Sequence, residues 1–329
     1  MKFDNPDKIF SSKDQKEFSE TVLAVFHYQA DHNKVYNRFL KSLGKDYRLI
    51  RRTEEIPFLP VGFFRSQKVI IDNLSFETVF ESSTTTGIKP SLHYVHDLKL
   101  YEKSFMNVFK LFYGDPSGYM IAALLPSYEE HKNSSLVYMM NCLIKASHNH
   151  YSGFYKSDEA NLIANLHKTI SENRIAILLG VSFALLDLAE NHSPDLSGII
   201  VMETGGMKGR RKEIIREELH DILKRKLNVP FIHSEYGMTE LLSQAYSAGQ
   251  GIFYAPPWMK ILIRDPQDPL SLIPEPSTAG GINIIDLANL YSCSFIASGD
   301  LGMLHEDGGF EVLGRFDNSD IRGCNMMAE

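Results

Sequence analysis

Cysteine is scarce: three in 329 residues, at 142, 293 and 324, an odd set without the spacing of a metal site. Such a set is no disulfide framework and points to a reducing cytoplasm. Positive charge is in deficit, with 34 Lys and Arg against 41 Asp and Glu and a net charge of −7. That argues against a nucleic-acid partner, because no surplus of cations is available to neutralise phosphates. No apolar run approaches the roughly 20 residues of a membrane span, and residues 1–20 hold no apolar stretch of the signal-peptide kind. There is no internal repeat and no low-complexity tract. The 43% hydrophobic and 23% charged content is that of a soluble globular protein, long enough for one large domain or two ordinary ones.

What is present alternates between helical and extended patterns. Ser12-Lys13-Asp14 can cap a helix over 15–29, with Phe18, Val22, Leu23, Val25, Phe26 and Tyr28 supplying an apolar face, and a second amphipathic segment runs from about 35 to 43 and stops at Gly44. Residues 55–61 are held extended by their prolines, and 62–71 continues as strand or loop. Residues 76–81 read as a strand and 95–112 has a helical period. Buried strands are expected at 119–125, 174–179, 198–203 and 230–234, with helices at 134–146, 159–171, 182–190 and 208–227 between them. This alternation predicts an α/β fold with a largely parallel sheet flanked by helices, whose ligands sit past the carboxyl ends of the strands. From residue 250 prolines cluster and short strands are expected at 259–264, 281–286 and 295–297. A hairpin turn at 306–309 joins strands at 301–305 and 310–313. The expected organisation is a core over 1–250 with an N-terminal helical flank, and a β-rich C-terminal subdomain over 251–329 packed on the same core.

Four stretches carry chemistry. Ser82-Ser83-Thr84-Thr85-Thr86-Gly87-Ile88-Lys89-Pro90 suits an anion cradle, with hydroxyls and loop amides inward, Gly87 for a tight turn and Lys89 for charge; a solvated linker has the same composition. Gly205-Gly206 follows a strand and lets a flat ligand approach the backbone, though a plain strand-to-helix turn is an equal reading. Tyr236-Gly237-Met238-Thr239-Glu240 is read as a strand-to-helix turn that offers a ring to stack on a base, a hydroxyl for a phosphate oxygen and a carboxylate for Mg²⁺. The alternative is a core tyrosine with Thr239 or Glu240 serving a helix start. Ser298-Gly299-Asp300-Leu301-Gly302, with Gly314-Arg315-Phe316-Asp317 beyond the hairpin, offers a carboxylate and a guanidinium to a ribose; two ordinary β-turns would look alike.

In this order the stretches resemble the adenylate-forming superfamily, which makes acyl-AMP, over residues 82–325. The likeness extends to the LuxE-type acyl-protein synthetases (long-chain-fatty-acid–luciferin-component ligases) through Leu124-Leu125-Pro126-Ser127-Tyr128, Ser134-Ser135-Leu136-Val137-Tyr138-Met139 and Asp317-Asn318-Ser319-Asp320-Ile321-Arg322-Gly323-Cys324. Two departures stand out: Thr84 occupies a position where the superfamily has glycine, and Lys89 precedes Pro90 instead of following it. The resemblance implies the large N-terminal domain of adenylate-forming enzymes. The mobile lid of about a hundred residues would be absent or vestigial, as in the LuxE type. It also implies ATP and Mg²⁺ as cofactors, a fatty or other carboxylic acid as substrate, and an acyl-acceptor protein, a reductase or carrier, as partner. Ser82 to Gly87 with Lys89 would hold the β- and γ-phosphates, Glu240 the metal, and Thr239 the α-phosphate. Tyr236 would take the adenine, Asp300 and Arg315 the ribose, and Cys324 the acyl group, with Gly205, Gly206 and Gly237 also lining the nucleotide. Two other readings remain: a ligase delivering acyl or aryl groups to coenzyme A or a carrier protein, and a non-catalytic nucleotide- or acyl-binding module.

Overall fold

A computed structural model of the protein describes residues 6–12, 14–83, 89–127, 129–156, 158–205 and 214–316. By its contacts the chain divides into two compact units, one of Met1–Ser75 with Pro257–Glu329 and the other of Phe76–Pro256. In the first unit, α1 (Gln15–His32) starts where Asp14 Oδ1 accepts from the Lys16 and Glu17 amides, both at 2.9 Å. Asn33 caps α2 (Lys34–Ser42) in the same way, and Gly44, at φ +67°, lies just past its end. Then come β1 (Leu59–Pro60) and a single helical turn, α3 (Phe63–Ser66), in the stretch expected to be strand or loop.

The second unit opens with the hairpin β2 (Thr78–Glu81) and β3 (Leu92–Val95), antiparallel from Thr78↔Val95 to Glu81↔Leu92. There follow α4 (Leu98–Tyr113), β4 (Tyr119–Leu124), α5 (Ser135–Ala146), β5 (Gly153–Phe154), α6 (Glu159–Ser171), β6 (Ile175–Val181), α7 (Ser182–Asn191) and β7 (Ile199–Thr204). Next are α8 (Arg216–Leu227), β8 (His233–Tyr236), β9 (Ala245–Ser247) and β10 (Ile252–Phe253). The sheet order is β5-β4-β6-β7-β8-β9, parallel throughout except for the last pair. The central strands β4, β6 and β7 are near-continuous apolar runs because parallel strands are covered on both faces. On one of them Leu162 and Leu166 of α6, Leu185 of α7, and Leu219 and Leu223 of α8 join a single core with Met120, Leu178 and Val201. Residue 208 was the expected start of α8; the helix begins only at Arg216, with Ile214 and Ile215 outside it.

The first unit resumes with β11 (Met259–Arg264), β12 (Gly280–Asp286), β13 (Phe295–Leu304) and β14 (Phe310–Arg315), an antiparallel run in the order β14-β13-β12-β11. β1 adds in parallel along the first half of β13, Leu59 against Ile296, where β14 does not reach. The helices of the N-terminal stretch close over Phe295, whose ring lies 5.7 Å from Phe26 and 6.1 Å from Tyr36 between centroids. Among the described residues no helix is long and apolar enough to cross a membrane.

Candidate functional site

The carboxyl ends of β7 and β8 carry two buried acids on opposite faces of the sheet. Register sets Glu203 beside Ser234 and Thr204 beside Glu235. Glu203, 3% exposed, faces α8, with Oε1 3.3 Å from Arg216 Nε and 3.6 Å from His220 Nε2. Ser182 Oγ lies 3.1 Å from Glu203 Oε2 and 2.6 Å from the Gly205 carbonyl oxygen, so one hydroxyl braces the end of the strand. Burial raises the proton affinity of Glu203, but the bonds and charges of His220, Arg216 and Ser234 outweigh it and leave the carboxyl below its ordinary range. Glu235 is the reverse case. Burial, reinforced by the charge of Glu203 and only partly offset by the hydroxyl donated from Thr204, pushes it up to about 7.

Tyr236 is the last residue of β8 and is buried, its ring edge-on to Phe253 at 5.9 Å. The Phe253 face in turn lies 4.9 Å from the Arg216 guanidinium, which links the tyrosine through Phe253 and Arg216 to Glu203. A turn at Thr239–Glu240, with the Leu241 amide on the Met238 carbonyl at 3.1 Å, leads into the antiparallel strand β9. The Tyr-Gly-Met-Thr-Glu stretch is therefore a strand-to-strand connection. The expected helix does not follow, because the next residues, Leu241 to Ser247, are all buried and end as an edge strand of the sheet. Glu240 is 6% exposed. His93 Nδ1, on β3, donates to the Thr239 carbonyl at 2.8 Å. Burial pulls His93 down to about 4, so its ring is neutral near pH 7 and Nδ1 carries the hydrogen.

That bond joins β3, the strand that follows the hydroxyl-rich stretch, to the Tyr-Gly-Met-Thr-Glu stretch. The loop between β2 and β3 is the hydroxyl-rich one, and its base is closed by the Ser82 amide on the Ser91 carbonyl at 3.1 Å and the Ser91 amide on Ser82 Oγ at 2.9 Å. Ser82 thus spends an acceptor on its own hairpin, while Ser83 and Lys89 are exposed. Thr84, Thr85, Thr86, Gly87, Gly206 and Cys324 lie outside the described residues. Gly205 is exposed with φ +66°, a conformation that favours glycine. Gly205, Tyr236, Gly237, Thr239 and Glu240 are gathered in one unit, around the ends of two adjacent strands.

Asp300 and Arg315 belong to the other unit and face each other as Cα partners of β13 and β14, with Nε 3.6 Å from Oδ1. Asp300 lies inside a ten-residue strand and not in a turn beyond a strand end. Of its flanking glycines, Gly302 serves strand pairing: a Cβ there would stand 2.3 Å from the Glu311 carbonyl oxygen. Burial lifts the Cys293 thiol to about 12 and that of Cys142 to about 11, so neither supplies a thiolate near neutrality. Glu203, Glu235, Arg216, His220 and His93 went unremarked in the sequence. The acids were visible as charged residues at the ends of apolar strand runs, where burial gives a charge a role.

No protein-family model and no curated protein matches the chain. Solved structures do match it. A 2-hydroxyisobutyryl-CoA ligase in the postadenylation state superposes with a TM-score of 0.69 at 14% identity, covering 97% of this chain and 72% of its own. ATP-bound MatB from Rhodopseudomonas palustris gives 0.53 at 17% identity over 72% of this chain and 47% of its own. The luciferase-like enzyme of the nonluminescent Zophobas morio mealworm gives 0.52 at 13% identity, over 83% and 61%. The chain spans about half the length of MatB. These neighbours are adenylate-forming enzymes, and at such identities the likeness is one of fold. The chain has the α/β fold of the large N-terminal domain of that superfamily.

Proposed function

We propose that this protein activates a carboxylic acid with ATP: a carboxylate oxygen attacks the α-phosphorus, the bond to the β-phosphate oxygen breaks, and acyl adenylate and pyrophosphate result. The observation that carries this reading is the 2.8 Å bond from His93 to the Thr239 carbonyl. It ties β3, the strand that follows a hydroxyl-rich loop, to a Tyr-Gly-Met-Thr-Glu connection at the carboxyl end of a parallel strand, in the fold of adenylate-forming enzymes. Such chemistry depends on positioning and charge neutralisation more than on acid–base catalysis.

In this reading Lys89 and the hydroxyls of 82–86, with Gly87, hold the outer phosphates. Thr239 contacts the α-phosphate, and Tyr236, Gly237, Gly205 and Gly206 form the adenine surface. Asp300 and Arg315, paired across their own ladder, contact ribose oxygens. Among the described residues no group of three or more His, Cys, Asp or Glu could hold a metal. In this reading Mg²⁺, which is commonly held by one carboxylate together with phosphate oxygens and water, would take Glu240. Bound there, the ion would neutralise charge on the departing pyrophosphate.

The finer proposal is an acyl-protein synthetase. The Cys324 thiolate attacks the acyl carbonyl, a thioester C–S bond forms, the bond to the phosphate oxygen breaks and AMP leaves. The acyl group, fatty by resemblance, then passes to a partner protein. A second reading, transfer to coenzyme A, is favoured by the CoA ligases among the structural neighbours. Carboxylate-dependent pyrophosphate exchange over a panel of fatty and aromatic acids tests the first step, and E240Q should abolish it. ATP binding without exchange would instead mark a non-catalytic module. A radiolabelled thioester still formed on C324S would remove the protein-transfer step.

A further inference from the structure

The Glu235 carboxyl has no role in the chemistry proposed above, yet it lies in β8 next to Tyr236, which that chemistry needs. It is buried, accepts from Thr204 on β7, and interacts electrostatically with Tyr101 on α4, Tyr246 on β9 and another acid, Glu203. Arg216 and His220 serve Glu203 from the opposite face. Among the described residues no cation pairs with Glu235. A carboxylate so buried without a cation is costly, and the group stays neutral by keeping its proton. The proton then needs an acceptor.

Gln244 supplies one. Its side chain is 4% exposed and its Oε1 lacks a hydrogen-bond partner among the described residues. Both side chains border the same point: a Cβ built on Gly237 would lie 2.4 Å from Glu235 Oε1 and 3.5 Å from Gln244 Cγ. With a Cβ at 237 the Glu235 carboxyl would have to shift, while Gln244 Cγ would be in ordinary contact. A protonated carboxyl has one donor and spare acceptor capacity, which matches a hydroxyl from Thr204 on one side and an orphaned amide oxygen on the other.

We propose that Glu235 is a positioning residue that acts as a neutral acid, accepting from Thr204 and donating to Gln244, and so sets the Tyr236–Gly237 end of β8 against the nucleotide. The inference rests on the adenylation reading. It makes nucleotide affinity sensitive to pH near neutrality without any titrating group touching the ligand. Burial and Glu203 holding the Glu235 carboxyl up at about 7 agree with this.

The test is ATP·Mg²⁺ affinity of the full chain by calorimetry, below and above neutrality, for wild type, E235M, Q244L and the conservative E235Q. Carbon-13 titration of the Glu235 carboxyl, assigned by its loss in E235Q, runs beside it. E235M and Q244L, each shown by circular dichroism to be folded at the assay temperature, should bind about tenfold more weakly than wild type below neutrality, while E235Q restores binding and removes its pH dependence. Unchanged affinity in E235M and Q244L, or loss in E235Q equal to that in E235M, overturns the positioning role. A Glu235 carboxyl that titrates as an ordinary glutamate overturns the neutral acid. Wild type that binds no ATP at all sinks the adenylation reading itself, an outcome separate from both.

Discussion

Glu203 and Glu235 stand on neighbouring strands with opposite titration behaviour, and stability should show both. Glu203 is depressed below its ordinary 4.5, so its contribution is complete above that pH and is lost as the pH falls through the folded value. Glu235 is raised to about 7 from 4.5, so the folded state binds the extra proton and loses stability as pH rises between those two values. The loss is on the order of 3 kcal/mol at 1.36 per unit. Urea unfolding of E235Q across this range should be flatter than that of wild type; equal slopes would mean that the carboxyl is not raised. Gly237 makes a second residue-level case. A methyl there meets Glu235 Oε1 at 2.4 Å, and that carboxyl is held by Thr204. G237A should cost about 1–3 kcal/mol, and much less in an E235A background, a coupling that a double-mutant cycle measures.

At the level of elements, α8 is fastened to the end of β7 by charge as well as by Leu219 and Leu223. R216A withdraws one partner from the buried Glu203 and uncovers the Phe253 ring. The guanidinium side chain is 29% exposed, so the cost should fall below that of breaking a fully buried pair, about 2 kcal/mol by denaturation. The β2–β3 hairpin is fastened to the β8–β9 connection by His93. H93L should lose about 1 kcal/mol of stability. In the adenylation reading it should also raise KM for ATP in pyrophosphate exchange, with a smaller change in kcat; an unaltered KM would separate the hairpin from nucleotide binding.

Over the whole molecule, the N-terminal 75 residues share a unit with the C-terminal strands through buried amides. Gln29 donates to the Asn289 and Leu290 carbonyls at 2.9 Å and accepts from the Ser294 amide at 2.8 Å, and Asn33 donates to the Ser292 carbonyl at 2.9 Å. Q29A leaves those groups buried and unsatisfied, a loss of about 3 kcal/mol, readable as a lower urea midpoint at unchanged slope. Nothing in the amphipathic pattern of 15–29 announces this. The reading drawn from sequence set its boundary at 250, where proline content changes, whereas the contacts that bring residues 1–75 beside 257–316 span some 260 positions, such as 29 to 289.

The amino-acid sequence by itself determined the helices, through their caps and periodicity, the parallel strands, through continuous apolar runs, and the kind of turn motifs present. These follow from interactions within a few residues. Only the tertiary structure decided that Tyr236-Gly237-Met238-Thr239-Glu240 runs into a strand, because burial of 241–247 against the sheet overrides local preference. It likewise decided that Asp300 sits within β13, held by ladders on both sides. And it decided which of two neighbouring glutamates holds its proton to higher pH, since burial and the partners Arg216, His220 and Thr204 exist only once distant segments meet.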